Sequence, residues 1–351
     1  MLCMVPVQEM PQVARVTIHD VARRAGVAPS SVSRVLNKHP NVSAQLRQAV
    51  EEAVRELDYR PDAGARSLRA GKTNLVGFLA GSVVNPILAT IYMSCEQVLR
   101  AQGYSMLLAT SLNDPHLDVT YLRLISRRRV DGLIVSSAVA RVDLAADIVA
   151  DLSVPTVMLD RDMPAGERIS AVMSDHATGM RQAVQHLVSL GHRRIALING
   201  LATVRPFRER QLGYQSGLQA AGLGPDPTLI SNVAVAESLG YVQTQLLLDM
   251  PNPPTAIIAG ANLLLLGILK FIQERRLVIG RDIAIVGCDD LDIARLYSPP
   301  ITVVARDLSM LGETAAHLLI QTIESGRGST VTLPTYLIVR GSSTVAGLGH
   351  T

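Results

Sequence analysis

The stretch 16–37, "VTIHDVARRAGVAPSSVSRVLN", decides how the rest of the chain is read. Thr17 and Asp20 form a Thr-x-x-Asp capping signal, with Ile18, Val21, Ala22 and Ala25 following at helical spacing. Gly26 ends that helix. Pro29 suits the first turn of a second helix, whose inner face holds Val32, Val35 and Leu36. The opposite face carries Ser30, Ser31, Ser33, Arg34 and Asn37. Downstream, Ser43 is an N-cap for a third helix with Leu46, Val50, Val54 and Leu57 inward, stopping before Tyr59-Arg60-Pro61.

Two short helices about a glycine turn, braced by a third, make a helix-turn-helix, whose second helix enters the DNA major groove. Small side chains let the backbone of that helix approach the base edges. Arg34 and Asn37 then offer charge-assisted and amide contacts to phosphates or bases. Charge supports this reading. Residues 1–72 hold 11 Lys/Arg against 7 Asp/Glu, and residues 73–351 hold 22 against 23. The basic excess therefore sits in the first fifth of the chain, as for a polyanion-binding module on a neutral body.

At 351 residues the chain is too long for one core, and 48% hydrophobic with 18% charged residues indicates a folded interior. With no Trp and three Phe, that interior rests on Leu, Ile, Val and Ala. Cys3, Cys95 and Cys288 fit neither a metal spacing nor a disulfide framework, which favours a reducing cytoplasm. The opening residues lack a signal-peptide pattern, and the uncharged run 250–269 holds three prolines, so no membrane partner is expected.

From residue 74 onward apolar strands alternate with amphipathic helices. "LVGFLAG", "SMLLAT", "GLIVSS" and "TVMLD" form one series; "RIALING", "TAIIAG" and "IAIVGCDD" form another. The pattern indicates two α/β lobes with parallel sheets, and ligands bind such sheets beyond the carboxyl ends of their strands. No Gly-x-Ser-x-Gly, His-Glu-x-x-His or Gly-x-Gly-x-x-Gly motif is present, the eight histidines are scattered, and Arg66 interrupts a phosphate-loop pattern. An enzyme, a metal centre and a cofactor are not expected.

The stretch from "VTIHDVARRAGVAPSSVSRVLNKHPNVSAQLRQ" through "ELDYRPDAGARSL" resembles the DNA-binding head of the LacI/GalR family of bacterial transcriptional regulators, and the resemblance runs to about residue 345. It implies a head over 16–60 after a disordered tail (1–15), a hinge helix over 61–73, and a body like a periplasmic binding protein, ending in a tail at 346–351. The expected lobes are 74–162 with 293–329, and 163–292 with 330–345, crossing near 161–165, 289–294 and 328–333.

The resemblance also implies roles. Pro29, Ser30 and Arg34 read bases; Thr17, Ser31, Ser33, Asn37 and Asn41 hold phosphates; Leu68 wedges into the minor groove. It carries an effector role to Arg161, Arg210, Asp289 and Asn262, with Ile87 after Asn85-Pro86, and Phe207 as a stacking ring. Departures from the family pattern are Ala28 for a Ser cap, Asp62 for Asn, Ile87 and Leu88 for Phe, Ala261-Asn262 for Asn-Asp, and Leu308 for an aromatic. With the run Leu263 to Leu266, they suggest an effector more apolar than an ordinary hexose, or a degenerate response. The implied protein is a cytoplasmic, nucleoid-associated homodimer on a pseudo-palindromic operator, controlled by a small molecule. A solute-binding protein and a doubly wound enzyme are the competing classes.

Overall fold

The computed structural model describes residues 16–37, 39–59, 72–127, 130–137, 154–162 and 167–344. They fall into two compact units that divide between Thr73 and Asn74.

The first unit holds α1 (Ile18–Ala25), α2 (Pro29–Leu36) and α3 (Ala44–Glu56). Asp20 accepts from the backbone N–H of Thr17 at 3.0 Å and from its hydroxyl at 2.7 Å, which fixes the entry to α1. Gly26 takes φ 67°, a left-handed conformation that costs glycine least, and so turns the chain into α2. The Ser43 hydroxyl accepts from the N–H of Leu46 at 3.3 Å and starts α3. Val21, Ala22, Val32, Val35, Val50 and Ala53 form the shared core. All three helices were legible in the sequence, α1 and α3 from their caps and α2 from Gly26 and Pro29.

The second unit contains two six-stranded sheets. The first is built from β1 (Leu75–Ala80), β2 (Ser105–Thr110), β3 (Gly132–Ser136), β4 (Thr156–Leu159), β5 (Ile169–Ser174) and β11 (Thr330–Leu333). Its order is β11-β5-β4-β3-β1-β2, with every pairing parallel. The second is built from β6 (Ile195–Asn199), β7 (Ile230–Asn232), β8 (Ala256–Ala259), β9 (Ala284–Cys288), β10 (Thr302–Ala305) and β12 (Tyr336–Ile338). Its order is β12-β10-β9-β8-β6-β7, and only β12 runs antiparallel.

Helices α4 (Pro86–Ala101), α5 (Pro115–Arg127) and α11 (Leu308–Ser325) belong with the first sheet. Helices α6 (His176–Ser189), α7 (Arg205–Ala220), α8 (Glu237–Leu248), α9 (Asn262–Glu274) and the short α10 (Asp292–Leu296) belong to the second lobe. Fully buried central strands read as unbroken apolar runs, which is why β1, β3, β6, β8 and β9 stand out in the sequence.

The lobe boundaries need correction. Residues 163–292 and 330–345 were expected in the second lobe, yet β5 pairs with β4, and β11 pairs with β5, in the first sheet. Residues 293–329 were expected in the first lobe, yet β10 pairs with β9 in the second. The chain therefore crosses after Ser174, after Ala305 and after Leu333. A strand's lobe is set by the distant strand it hydrogen-bonds to, which its own residues do not state. The Thr335 hydroxyl donates to the Asp175 carbonyl at 2.7 Å and ties the first crossing to the third. Arg306 lies on the second crossing.

Candidate functional site

In the first unit, α2 turns Val32 and Val35 inward and leaves its other face open. Pro29, Ser30, Arg34 and Asn37 are exposed, and Ser31 and Ser33 are half-buried. Asn37 Nδ2 lies 3.4 Å from the Ser33 hydroxyl, so the amide is held on the same face. Thr17 and Asn41 are exposed beside the two ends of this two-helix segment. Ala28 supplies no capping side chain to α2, and Pro29 at the first position removes one N–H that would need a partner. The result is a short helix with a small, polar, uncommitted face and one guanidinium. Leu68 and Asp62 lie outside the described residues.

In the second unit the cleft residues sit where strands end. Asp160 follows β4 and Asp289 follows β9, both at left-handed backbone angles, φ 50° and 69°. An aspartate tolerates that conformation better than most residues. Asp160 belongs to the first lobe and Asp289 to the second, and Arg306 bridges them: Nη1 bonds Asp160 Oδ2, and Nε donates to Asp289 Oδ1 at 2.7 Å. The Asp160 carboxylate also accepts from the N–H of Ser174 at 2.5 Å and from its hydroxyl at 2.9 Å. His176 Nε2 is 3.3 Å from Asp160 Oδ2, and Arg205 Nη1 is 3.6 Å from Oδ1.

Across the cleft, Arg210 donates to the Gly260 carbonyl at 2.5 Å and lies 3.6 Å from Asp289 Oδ2. Its guanidinium stands over the Phe207 ring at 5.7 Å. Arg205 and Arg210 are both carried by α7, which packs tightly on α6. A Cβ on Gly213 would come within 2.3 Å of the Ala177 carbonyl oxygen, so only glycine allows that approach. Asn262, first in α9, donates to Asn85 Oδ1 at 3.1 Å, a second hydrogen bond from lobe to lobe. At the solvent edge Arg208 grips Asp162 with contacts of 2.9 and 2.7 Å.

The charges in this cluster are strongly perturbed. Burial alone would raise the Asp160 carboxyl; the hydrogen bond from His176, the Arg306 charge and the Ser174 N–H outweigh it and hold the group well below the usual carboxylate range. Asp289 is lowered in the same way, with burial opposed by Arg306 and Arg210. Burial, helped by Arg210, pushes His176 down to about 4, so its imidazole is neutral at neutral pH. For Arg306, burial is overcome by Asp289 and Asp160, which raise it further into the charged form.

Two sequence expectations need correcting. Arg161 is spent within the first lobe, donating to the carbonyls of Ser137, Ser136 and Asp160 at 2.6, 3.0 and 2.9 Å. Its guanidinium clamps the strand ends of the first lobe beside the buried Asp118, whose carboxyl burial pushes up. Ile87 is buried in the first lobe's core with Phe78, Ile91 and Leu311. The apolar run in α9 is mostly core as well, since Leu264 and Leu265 are fully packed in the second lobe. The cleft is charged, not apolar. Arg210 meets Asp289 and Phe207, and Asn262 meets Asn85, while Asp160, His176, Arg205 and Arg306 were not among the residues expected. One signal could have found two of them: a charged residue directly after a buried strand, as at Asp160 and Arg306, the same placement that Asp289 has.

Comparison with known proteins settles the family. Residues 17–62 match the lacI family of bacterial regulatory proteins, and residues 184–343 match the periplasmic binding protein-like domain. The HTH-type transcriptional repressor PurR of Haemophilus influenzae (strain PittEE) is 32% identical over 309 residues, covering 88% of this chain and 91% of the relative. The chain belongs to the lacI family.

PurR of Erwinia tasmaniensis is 33% identical over 321 residues, covering 91% and 94%. Among solved structures, the lac repressor dimer bound to operator and the anti-inducer ONPF superposes with a TM-score of 0.79 at 29% identity, covering 95% of this chain and all of that one. The transcriptional regulator CelR in complex with cellobiose gives 0.72 at 31% identity, covering 93% and 100%. As a lacI-family member the chain is a DNA-binding transcriptional regulator and not an enzyme. No helix among the described residues is long and apolar enough to cross a membrane.

Proposed function

We propose that this lacI-family regulator is a repressor that reads a pseudo-palindromic operator as a homodimer and answers to a small molecule in the inter-lobe cleft. It would act in the cytoplasm, on the nucleoid. The observation that carries the reading is the open face of α2, where Pro29, Ser30 and Arg34 are exposed above a fully packed Val32 and Val35. In this reading those three residues choose the base sequence. Thr17, Ser31, Ser33, Asn37 and Asn41 hold the phosphates on either side.

Effector coupling follows from the cleft. Asp160 and Asp289 stand on opposite lobes, and a ligand that prefers one spacing between them shifts the population of lobe arrangements. Asp289, Arg210, Asn262 and Phe207 are its proposed contacts, joined by Asp160 and Arg306.

Selection of bound duplexes from a random pool by the full chain tests the reading. A single two-fold symmetric motif is expected, bound with a steep negative dependence on salt. Recovery of no enriched motif would sink it.

A further inference from the structure

The cleft does not balance its own charge. Among the described residues its centre holds three guanidinium groups, from the buried Arg210 and the half-buried Arg205 and Arg306, against two buried carboxylates, from Asp160 and Asp289. His176 stays neutral there and cancels nothing. The nearby carboxylates do not supply the missing charge. Asp162 is gripped by Arg208 and Asp290 by Arg295 at 3.0 Å and Arg340 at 2.7 Å, and burial pushes the Asp118 carboxyl towards its neutral form. Among the described residues the half-buried Glu209 reaches Arg208 alone, at 3.9 Å. Rim charges are screened by water and ions; a buried surplus is not.

Two further features point the same way. Arg210 Nε is buried with no hydrogen-bond partner among the described residues, although its other nitrogens bind Gly260 and Asp289. A buried N–H left unpaired costs about 1–3 kcal/mol, so an acceptor brought to it is favoured. Arg205 is the first residue of α7, whose N-cap Val204 offers no side-chain acceptor. The positive end of a 16-residue helix therefore adds to the same corner. Among the described residues Arg205 itself has the 3.6 Å approach to Asp160, a 4.0 Å approach to Asp162 and the Ser174 carbonyl at 3.3 Å.

We propose that the cleft binds a small oxyanion, a carboxylate or a phosphate ester, with Arg205, Arg210 and Arg306 as its cationic contacts. Arg306 is the residue that selects for charge. Without the anion it bridges the lobes through Asp160 and Asp289; when the lobes part, the anion replaces Asp160 as its partner. The inference deepens the reading of the cleft as an effector site and rests on it. It replaces the apolar effector suggested by the leucine run.

Calorimetric titration of the full chain tests it, with inorganic phosphate, citrate and glucose 6-phosphate against glucose and cellobiose. Saturable binding of at least one anion is expected, weakened about tenfold or more by Arg306→Gln and by Arg205→Gln. The two anion chemistries are separated by whether citrate or the phosphates bind more tightly. Circular dichroism checks that each variant is folded. If Arg306→Gln is not, Arg205→Gln, whose lobe-to-lobe contacts are the longer ones of 3.3 Å to the Ser174 carbonyl and 3.6 Å to Asp160, carries the test alone. Tighter binding of a neutral sugar, no anion bound below ~10 mM, or anion affinity unchanged in the folded variants would overturn the proposal. Operator selection by the same preparation keeps the two readings apart. A chain that selects DNA but ignores anions contradicts only this inference.

Discussion

The outward face of α2 and the inter-lobe cleft are both polar, and they treat their polar groups in opposite ways. On α2 the serines, Arg34 and Asn37 are left to water, with one side-chain contact of 3.4 Å among them. In the cleft nearly every polar group is spent on another, across two lobes and three chain crossings. A surface that must meet varied DNA sequences gains from being uncommitted. A switch gains from having a definite arrangement to leave. The comparison therefore predicts that substitutions on α2 change binding without touching stability, and that substitutions in the cleft do the reverse first.

The largest effect is expected at Arg306. Arg306→Met leaves Asp160 and Asp289 without their shared partner, and breaking a buried ion pair from one side costs about 3–5 kcal/mol. Urea unfolding of the full chain should show that loss in the transition of the two-lobed unit. A loss below about 1 kcal/mol would mean the bridge is solvated and the comparison fails.

Acid should act on the cleft in the same direction. The unfolded chain takes up a proton at His176 near its ordinary value of 6.5, while the folded chain resists until about 4. Stability contributed by the neutral imidazole is thus complete above 6.5 and falls as the pH drops from 6.5 towards 4. Asp160 and Asp289, both lowered, add their own loss only below the ordinary carboxylate value of 3.8. Thermal melts between these limits should show the first fall, and His176→Gln should flatten it. An unchanged slope in that variant would remove His176 from the account.

On the other side of the comparison, Arg34→Ala should cost about 1–3 kcal/mol of operator affinity while leaving the melting curve in place. The smallest effect belongs to Ser43→Ala, which removes the cap of α3 and should cost the head about 1 kcal/mol. Chemical denaturation of the head checks it; no change would show that water caps α3 equally well.

The same contrast explains what the sequence disclosed. Head signals are local: Asp20 caps within three residues, Gly26 turns the chain and Ser43 starts a helix, so all three helices could be placed from neighbours alone. Strands of the body were readable as apolar runs, because a sheet covered on both faces shows no alternation. Their grouping was not. "ISAVMS" at 169–174 joins the first sheet only because β4 and β11 accept it. The cleft was harder still. Asp160, His176, Arg205, Asp289 and Arg306 are scattered over some 146 residues of sequence, and nothing beside Arg306 announces that two carboxylates await it. Family resemblance pointed to Arg161, but the carbonyls at the ends of β3 and β4 had already claimed it.

The most direct test of the central claim is the ratio of specific to non-specific affinity, measured by fluorescence anisotropy on the selected operator and a scrambled duplex at one salt concentration. For Arg34→Ala the ratio should fall about tenfold or more, through loss on the operator alone. An equal loss on both duplexes would reduce Arg34 to a phosphate contact and contradict the claim that α2 chooses the sequence.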